Sequence, residues 1–127
     1  MKSLAVDGCE LKLSAGSSKK ISITNQPSKK VKADGKGCYY GEIKFSISGY
    51  TGTNIINGDG RGSGSIRGGS KHVKIEGKAA VLEDDESETI TVSGTKPGPN
   101  GSKIPTTDNI TVKVQSAGQS KVKANWP

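Results

Sequence analysis

Two cysteines and one histidine are the only residues of this chain whose types suit soft-metal or thiol chemistry: Cys9, Cys38 and His72. Thiolates and imidazoles bind zinc and iron, and three protein ligands plus water complete a tetrahedral site. The trio is therefore the candidate metal set, for zinc or iron, although no Cys-x-x-Cys or other short metal spacing is present. The competing expectation is that Cys9 and Cys38 are small buried core residues, the usual place of a free cysteine. A Ser-His-Asp or Cys-His mechanism would have to run through His72. No nucleophile motif surrounds either cysteine, and no nucleophile, base and oxyanion set can be assembled, so no enzymatic activity is expected.

Two other stretches have chemistry to weigh. Gly58-Asp59-Gly60-Arg61-Gly62 is superficially like a phosphate loop. A phosphate loop needs Gly-Lys-Ser/Thr opening a helix, and a dinucleotide site needs its glycines inside a βαβ unit. Neither context is present. The acid run Glu83-Asp84-Asp85-Glu86 could attract a hard cation, but it lacks the fixed spacing of a calcium loop and reads as a solvated turn.

The elements that would position these residues are strands. Ile, Val and Thr total 28 against 4 Leu, a balance that favours strand over helix. The centre, residues 58–85, begins as a glycine-dense loop and continues into the alternating run Lys71-His72-Val73-Lys74-Ile75-Glu76. Val73 and Ile75 share one face of that strand, and Gly77 allows a sharp turn. Asp7-Gly8 carries the strongest hairpin signal, and Asp34-Gly35 a further turn signal. Residues 39–48 form the best strand, with Ile43, Phe45 and Ile47 on one face; Ile90 with Val92, and Ile110 with Val112 and Val114, repeat the pattern. Residues 95–105, rich in Pro and Gly, read as a loop. The expected fold is all-β: one compact Gly-rich domain, residues 1–127, of about eight to ten short strands. No internal repeat is read in the chain.

The net charge is +7, unevenly spread, with five acids between Glu83 and Glu88. Most lysines alternate with apolar residues, as on the solvated face of a sheet, where lysine also discourages edge-to-edge pairing. A basic module for single-stranded nucleic acid is the alternative function, but it needs aromatic platforms. Tyr39-Tyr40 near Lys36 is the one pair available, with Phe45, the third tyrosine and Trp126 elsewhere, so nucleic acid is the less favoured partner. Ser3-Leu4-Ala5-Val6 is too short for the apolar segment of a signal peptide, and no apolar run is long enough to span a membrane. A cytoplasmic chain is expected unless a larger machine exports it.

The centre of the chain resembles the PAAR-like family, tip proteins of contractile injection systems such as type VI secretion and phage-tail-like particles. The pattern Val-x-(Ile/Val)-x-Gly-Lys-(Pro/Ala)-Ala of that family is read here as Val73-Lys74-Ile75-Glu76-Gly77-Lys78-Ala79-Ala80, followed by Asp84. The opening Ala5-Val6-Asp7-Gly8-Cys9-Glu10-Leu11 and the ending Ala117-Gly118-Gln119-Ser120-Lys121-Val122 are similar to the family's first and closing segments. The family's Pro-Ala-Ala-Arg is not intact, and one histidine stands where members hold several. The resemblance implies a β-rich cone or β-sandwich that caps a trimeric β-helical spike and helps to pierce a target membrane. It implies the spike protein as partner, with effector proteins as further cargo and only transient membrane contact. It implies assembly in the cytoplasm and then export as part of the particle. Gly77, Lys78, Ala79 and Ala80 are the family-like positions, and Cys9, Cys38 and His72 the only ligands for an apical metal; no other cofactor is implied.

Overall fold

The computed structural model describes residues 2–124, and the regular structure among them is almost wholly strand. In chain order they are β1 (Lys2–Ser3), β2 (Glu10–Leu13), β3 (Lys20–Ile23), β4 (Lys32–Ala33), β5 (Lys36–Gly37), β6 (Glu42–Tyr50), β7 (Gly60–Arg67), β8 (Lys74–Ile75), β9 (Lys78–Ala79), β10 (Ile90–Pro97), β11 (Lys103–Ile110), β12 (Val112–Ser116) and β13 (Lys123–Ala124). The one helical turn is a short 3-10 segment, Pro99–Gly101. The all-β expectation holds. The thirteen strands exceed the expected eight to ten because six of them are two-residue rungs, too short to show alternation.

The six rungs make three hairpins. In β4–β5, Lys32 pairs with Gly37 and Ala33 with Lys36; in β8–β9, Lys74 pairs with Ala79 and Ile75 with Lys78. The turn residues Asp34-Gly35 and Glu76-Gly77 all have positive φ, 52° and 76° in the first and 52° and 83° in the second, the conformation of a tight type I′ turn. The third pair is made by the two ends of the described chain: β1 pairs with β13, Ser3 with Lys123 and Lys2 with Ala124. The three are equivalent in detail. Val31 and Val73 accept at their carbonyls from Cys38 and Ala80, and Val122 accepts from Leu4. The Val31 and Val73 amides donate to the hydroxyls of Ser28 and Ser70, and the Val122 amide to the Gln119 side-chain oxygen.

This corrects the expectation of a chain without repeats. Ser28-Lys29-Lys30-Val31-Lys32-Ala33-Asp34-Gly35-Lys36 and Ser70-Lys71-His72-Val73-Lys74-Ile75-Glu76-Gly77-Lys78 are one unit written twice. The third copy is split: Val122-Lys123-Ala124 ends the described residues and Lys2-Ser3-Leu4 begins them.

The strand leaving each hairpin meets the other two in a ring. The Tyr39 amide donates to the Ala5 carbonyl, Val81 to Tyr39, and Ala5 to Val81, at 3.0, 3.2 and 2.8 Å. Outside that triangle a second cycle runs from the Asp7 amide to Gly37, from Gly41 to Ala79 and from Glu83 to Ser3. Isolated bridges follow the same order, Val6 with Cys38, Tyr40 with Ala80 and Leu82 with Leu4. Three sets of bonds that each close in a cycle define a pseudo-threefold arrangement.

Strand alternation then divides the interior. Ala5, Tyr39 and Val81 join the larger core, with Ile43, Phe45, Ile66 and Val92 among its members. Their flanking residues Leu4, Cys38, Ala80, Val6 and Leu82 form a smaller core under the hairpins with Ala33 and Ile75.

From the ring the chain runs out in three arms. β6 pairs with β7 and β10 with β11; β7 touches β10 at Arg61–Ser93, and β3 pairs with β6. β12, one residue beyond β11, pairs with β2. No ladder joins β2 to β3, so the first arm is open where the other two are closed.

Three local expectations change. The glycine-dense segment is not a loop but most of β7, eight residues long. A Cβ on Gly64 would stand 2.7 Å from Ile90 Cγ2, and one on Gly60 2.8 Å from Tyr50 Cβ, so these glycines let larger neighbours cover the strand. Asp7-Gly8 does turn, with the Cys9 amide on the Val6 carbonyl, but its flanking strands pair with β13 and β12, not with each other. The Pro- and Gly-rich loop shrinks to residues 98–102, because β10 and β11 run on as a hairpin that includes Pro97 and Pro105.

Candidate interaction face

The sequence candidates for metal chemistry are placed apart. Cys9 lies in the larger core and Cys38 in the smaller one, while His72 is exposed at the start of the second hairpin unit. The two thiols are free. Burial, helped by the Asp7 charge, pushes the Cys9 thiol up to about 11, and burial raises Cys38 as well. Among the described residues no three of His, Cys, Asp and Glu are disposed to hold an ion.

A consequence is testable. In the native protein at pH 8, thiol reagents should modify Cys9 about a hundredfold more slowly than a free cysteine, and Cys38 should also be protected. Both should react at once in denaturant. Rapid native modification of Cys38 would show that the smaller core opens readily.

The acidic run is not one solvated turn. The Asp84 carboxylate meets Lys2 at 2.6 Å, and the backbone of Glu86 forms an isolated antiparallel β-bridge with that of Lys113. Asp85 is buried, and its Oδ2 accepts from the amides of Gly69 and Leu82, both at 2.8 Å. It thereby ties the approach to the second hairpin to the strand that leaves it. Burial raises its carboxyl above the usual aspartate value, against the pull of those two donors. The aromatic pair also separates: Tyr39 is buried in the larger core, which pushes its hydroxyl up to about 12, and Tyr40 is half-buried against the smaller core. Tyr39 is thus unavailable for stacking on a base, and Trp126 lies outside the described residues.

What the fold does gather is the hairpins. The family-like residues Gly77, Lys78, Ala79 and Ala80 form the second of them: Gly77 its turn, Lys78 and Ala79 its return strand, Ala80 its place in the ring. Lys36 and Lys2 occupy the position of Lys78, and Lys32 and Lys123 that of Lys74. Residues 28–38, 70–80 and 119–124 with 2–4 carry ten lysines and two acids, a net charge of +8. The remainder carries nine basic and ten acidic side chains, net −1. The positive charge is therefore a property of the hairpin units, not of the sheet faces where the alternating lysines pointed. The sequence signal that could have found this face was the 42-residue offset between the Ser28 and Ser70 units.

In comparisons with family models, with curated proteins and with solved structures, nothing matches this chain.

Proposed function

We propose that this chain is a PAAR-like spike-tip protein that caps the trimeric β-helical spike of a contractile injection system. The observation that carries the reading is the cyclic bonding of three equivalent hairpin units around Ala5, Tyr39 and Val81. A single chain that meets the end of a homotrimer must offer the same chemistry three times, and closed rotational symmetry in the partner favours pseudo-symmetry in the cap. The hairpin that carries the family-like pattern, Val73–Ala80, has two counterparts in backbone pairing, one complete and one split between the two ends of the described chain. A β-helix also ends in unpaired backbone groups and side chains that need covering, which suits a rigid β cap. Short rungs with two-residue turns leave little slack to yield under force. In this reading the tip is assembled in the cytoplasm, leaves with the particle, and meets the target membrane and any effector only as part of it.

The test is stoichiometry. Co-expressed with a trimeric spike protein from the same genome, the chain should co-elute as one copy per three spike chains, measured by light scattering or native mass spectrometry. Free migration of both proteins under all conditions would sink the reading.

A further inference from the structure

The hairpin units differ from the arms in a way that points to one face. Their sequences agree with one another; the arms differ in length and in sequence, and the first is open. A surface that must fit a threefold partner is under that constraint, and a surface that does not is free to vary. Lys32, Lys74 and Lys123 stand at equivalent places, each exposed and none in an ion pair among the described residues. Two of the four exposed large apolar side chains, Val31 and Val122, are the neighbouring residues in the first and third units. Exposed apolar groups next in the chain to unpaired cations are what a docking surface presents before it is covered.

We infer that the hairpin face is the surface that seats on the spike, and that the spike end it fits carries a carboxylate in each of its three chains, placed to meet Lys32, Lys74 and Lys123. This rests on the spike-tip reading and adds the face and the partner's chemistry. The segregation of charge argues for an anionic partner, because the net +8 lies in the hairpin units while the rest of the chain is close to neutral. The threefold repetition of the lysines argues for a trimer over a nucleic-acid strand, which has no such symmetry. Complementary charge of this kind speeds docking, sets the register and screens out wrong partners.

The experiment compares spike binding by three proteins: the wild type, a hairpin variant with Lys32→Glu, Lys74→Glu and Lys123→Glu, and an arm variant with Lys19→Glu, Lys96→Glu and Lys103→Glu. Circular dichroism checks their folding, and a triple Lys→Gln hairpin variant replaces the first if it misfolds. The hairpin variant should bind the spike trimer about a hundredfold more weakly, the arm variant like the wild type, and wild-type affinity should fall as salt rises. If the arm variant loses binding and the hairpin variant keeps it, the spike-tip reading stands and the assignment of the face is wrong. If the wild type binds single-stranded DNA through these lysines and no spike trimer, the reading and the inference fall together.

Discussion

Asp85→Ala should destabilise the protein by about 2–5 kcal/mol, a large part of the roughly 5–15 kcal/mol that holds a typical domain together. The carboxylate receives the Gly69 and Leu82 amides in a buried position, and alanine would leave both donors without a partner. Each orphaned buried amide costs about 1–3 kcal/mol. Asp85→Asn keeps an acceptor oxygen and removes the buried charge, so its cost should be far smaller, within about 1 kcal/mol of the wild type. The pair also has a signed pH dependence. Burial raises the folded pKa of Asp85 above its unfolded value. Its contribution is therefore fully present below the unfolded pKa, about 3.9, and is lost as pH rises through the folded value. The wild type should gain on Asp85→Asn as pH falls through that window, read from urea midpoints at a series of pH values. Asp84 and Asp59, whose pKa values are lowered by bonds to Lys2 and Thr95, act in the opposite sense, but they are common to both proteins and cancel in the difference. A wild-type advantage that instead grew as pH rose would show that the two amide bonds outweigh burial.

A circular permutant should fold to the same structure. Its new ends lie between Asp34 and Gly35, and Ala124 is joined to Lys2 through Asp-Gly. Ala124 and Lys2 face each other across the third rung pair, as Ala33 and Lys36 do across the first. Asp-Gly is the loop already used between the latter two, with both φ values positive. Closing one turn and opening its equivalent moves the break from one unit of the ring to the next, at an exposed position where chain ends are tolerated. Its melting temperature should lie within about 5 °C of the parent, a change of roughly 1 kcal/mol. A control opened between Phe45 and Ser46 cuts the centre of β6, which pairs on one side with β3 and on the other with β7. That control should not fold. Equal behaviour of the two permutants, or failure of the first with survival of the second, would show that the three hairpins are not interchangeable.

The open first arm reports on the same design. In the second and third arms the outgoing and returning strands pair directly. In the first, β2 is taken by β12 and β3 by β6, and the opening between them is lined by Cys9, Leu11, Ile21 and Ile23. The threefold pattern is kept where backbone bonds close the ring and relaxed where side chains fill the arms.

Much of the fold was legible in the order of residue types. Apolar residues at every second position, most of them β-branched, marked β6, β10 and the run through Val112 and Val114, because a strand with one buried face must alternate. Asp34-Gly35 marked a turn, because few other pairs accept positive φ at both positions, and Gly77 marked another; that Glu76, read as strand, takes positive φ beside it was not legible. The charge and its excess of lysine could be counted. Tertiary structure alone decided the rest. Whether Asp7-Gly8 closes a hairpin depends on what the flanking strands find to pair with, and they find β13 and β12, more than a hundred residues away. The glycines of β7 look like a loop until Tyr50, Phe45 and Ile90 are seen to need their missing side chains. Cys9, Cys38 and His72 look like a ligand set until Cys38, on a ring strand, is seen in the smaller core and Cys9, past the Asp7-Gly8 turn, in the larger. The third hairpin unit cannot be read along the chain at all, because half of it stands at each end and only hydrogen bonds between residues 2–4 and 122–124 make it whole.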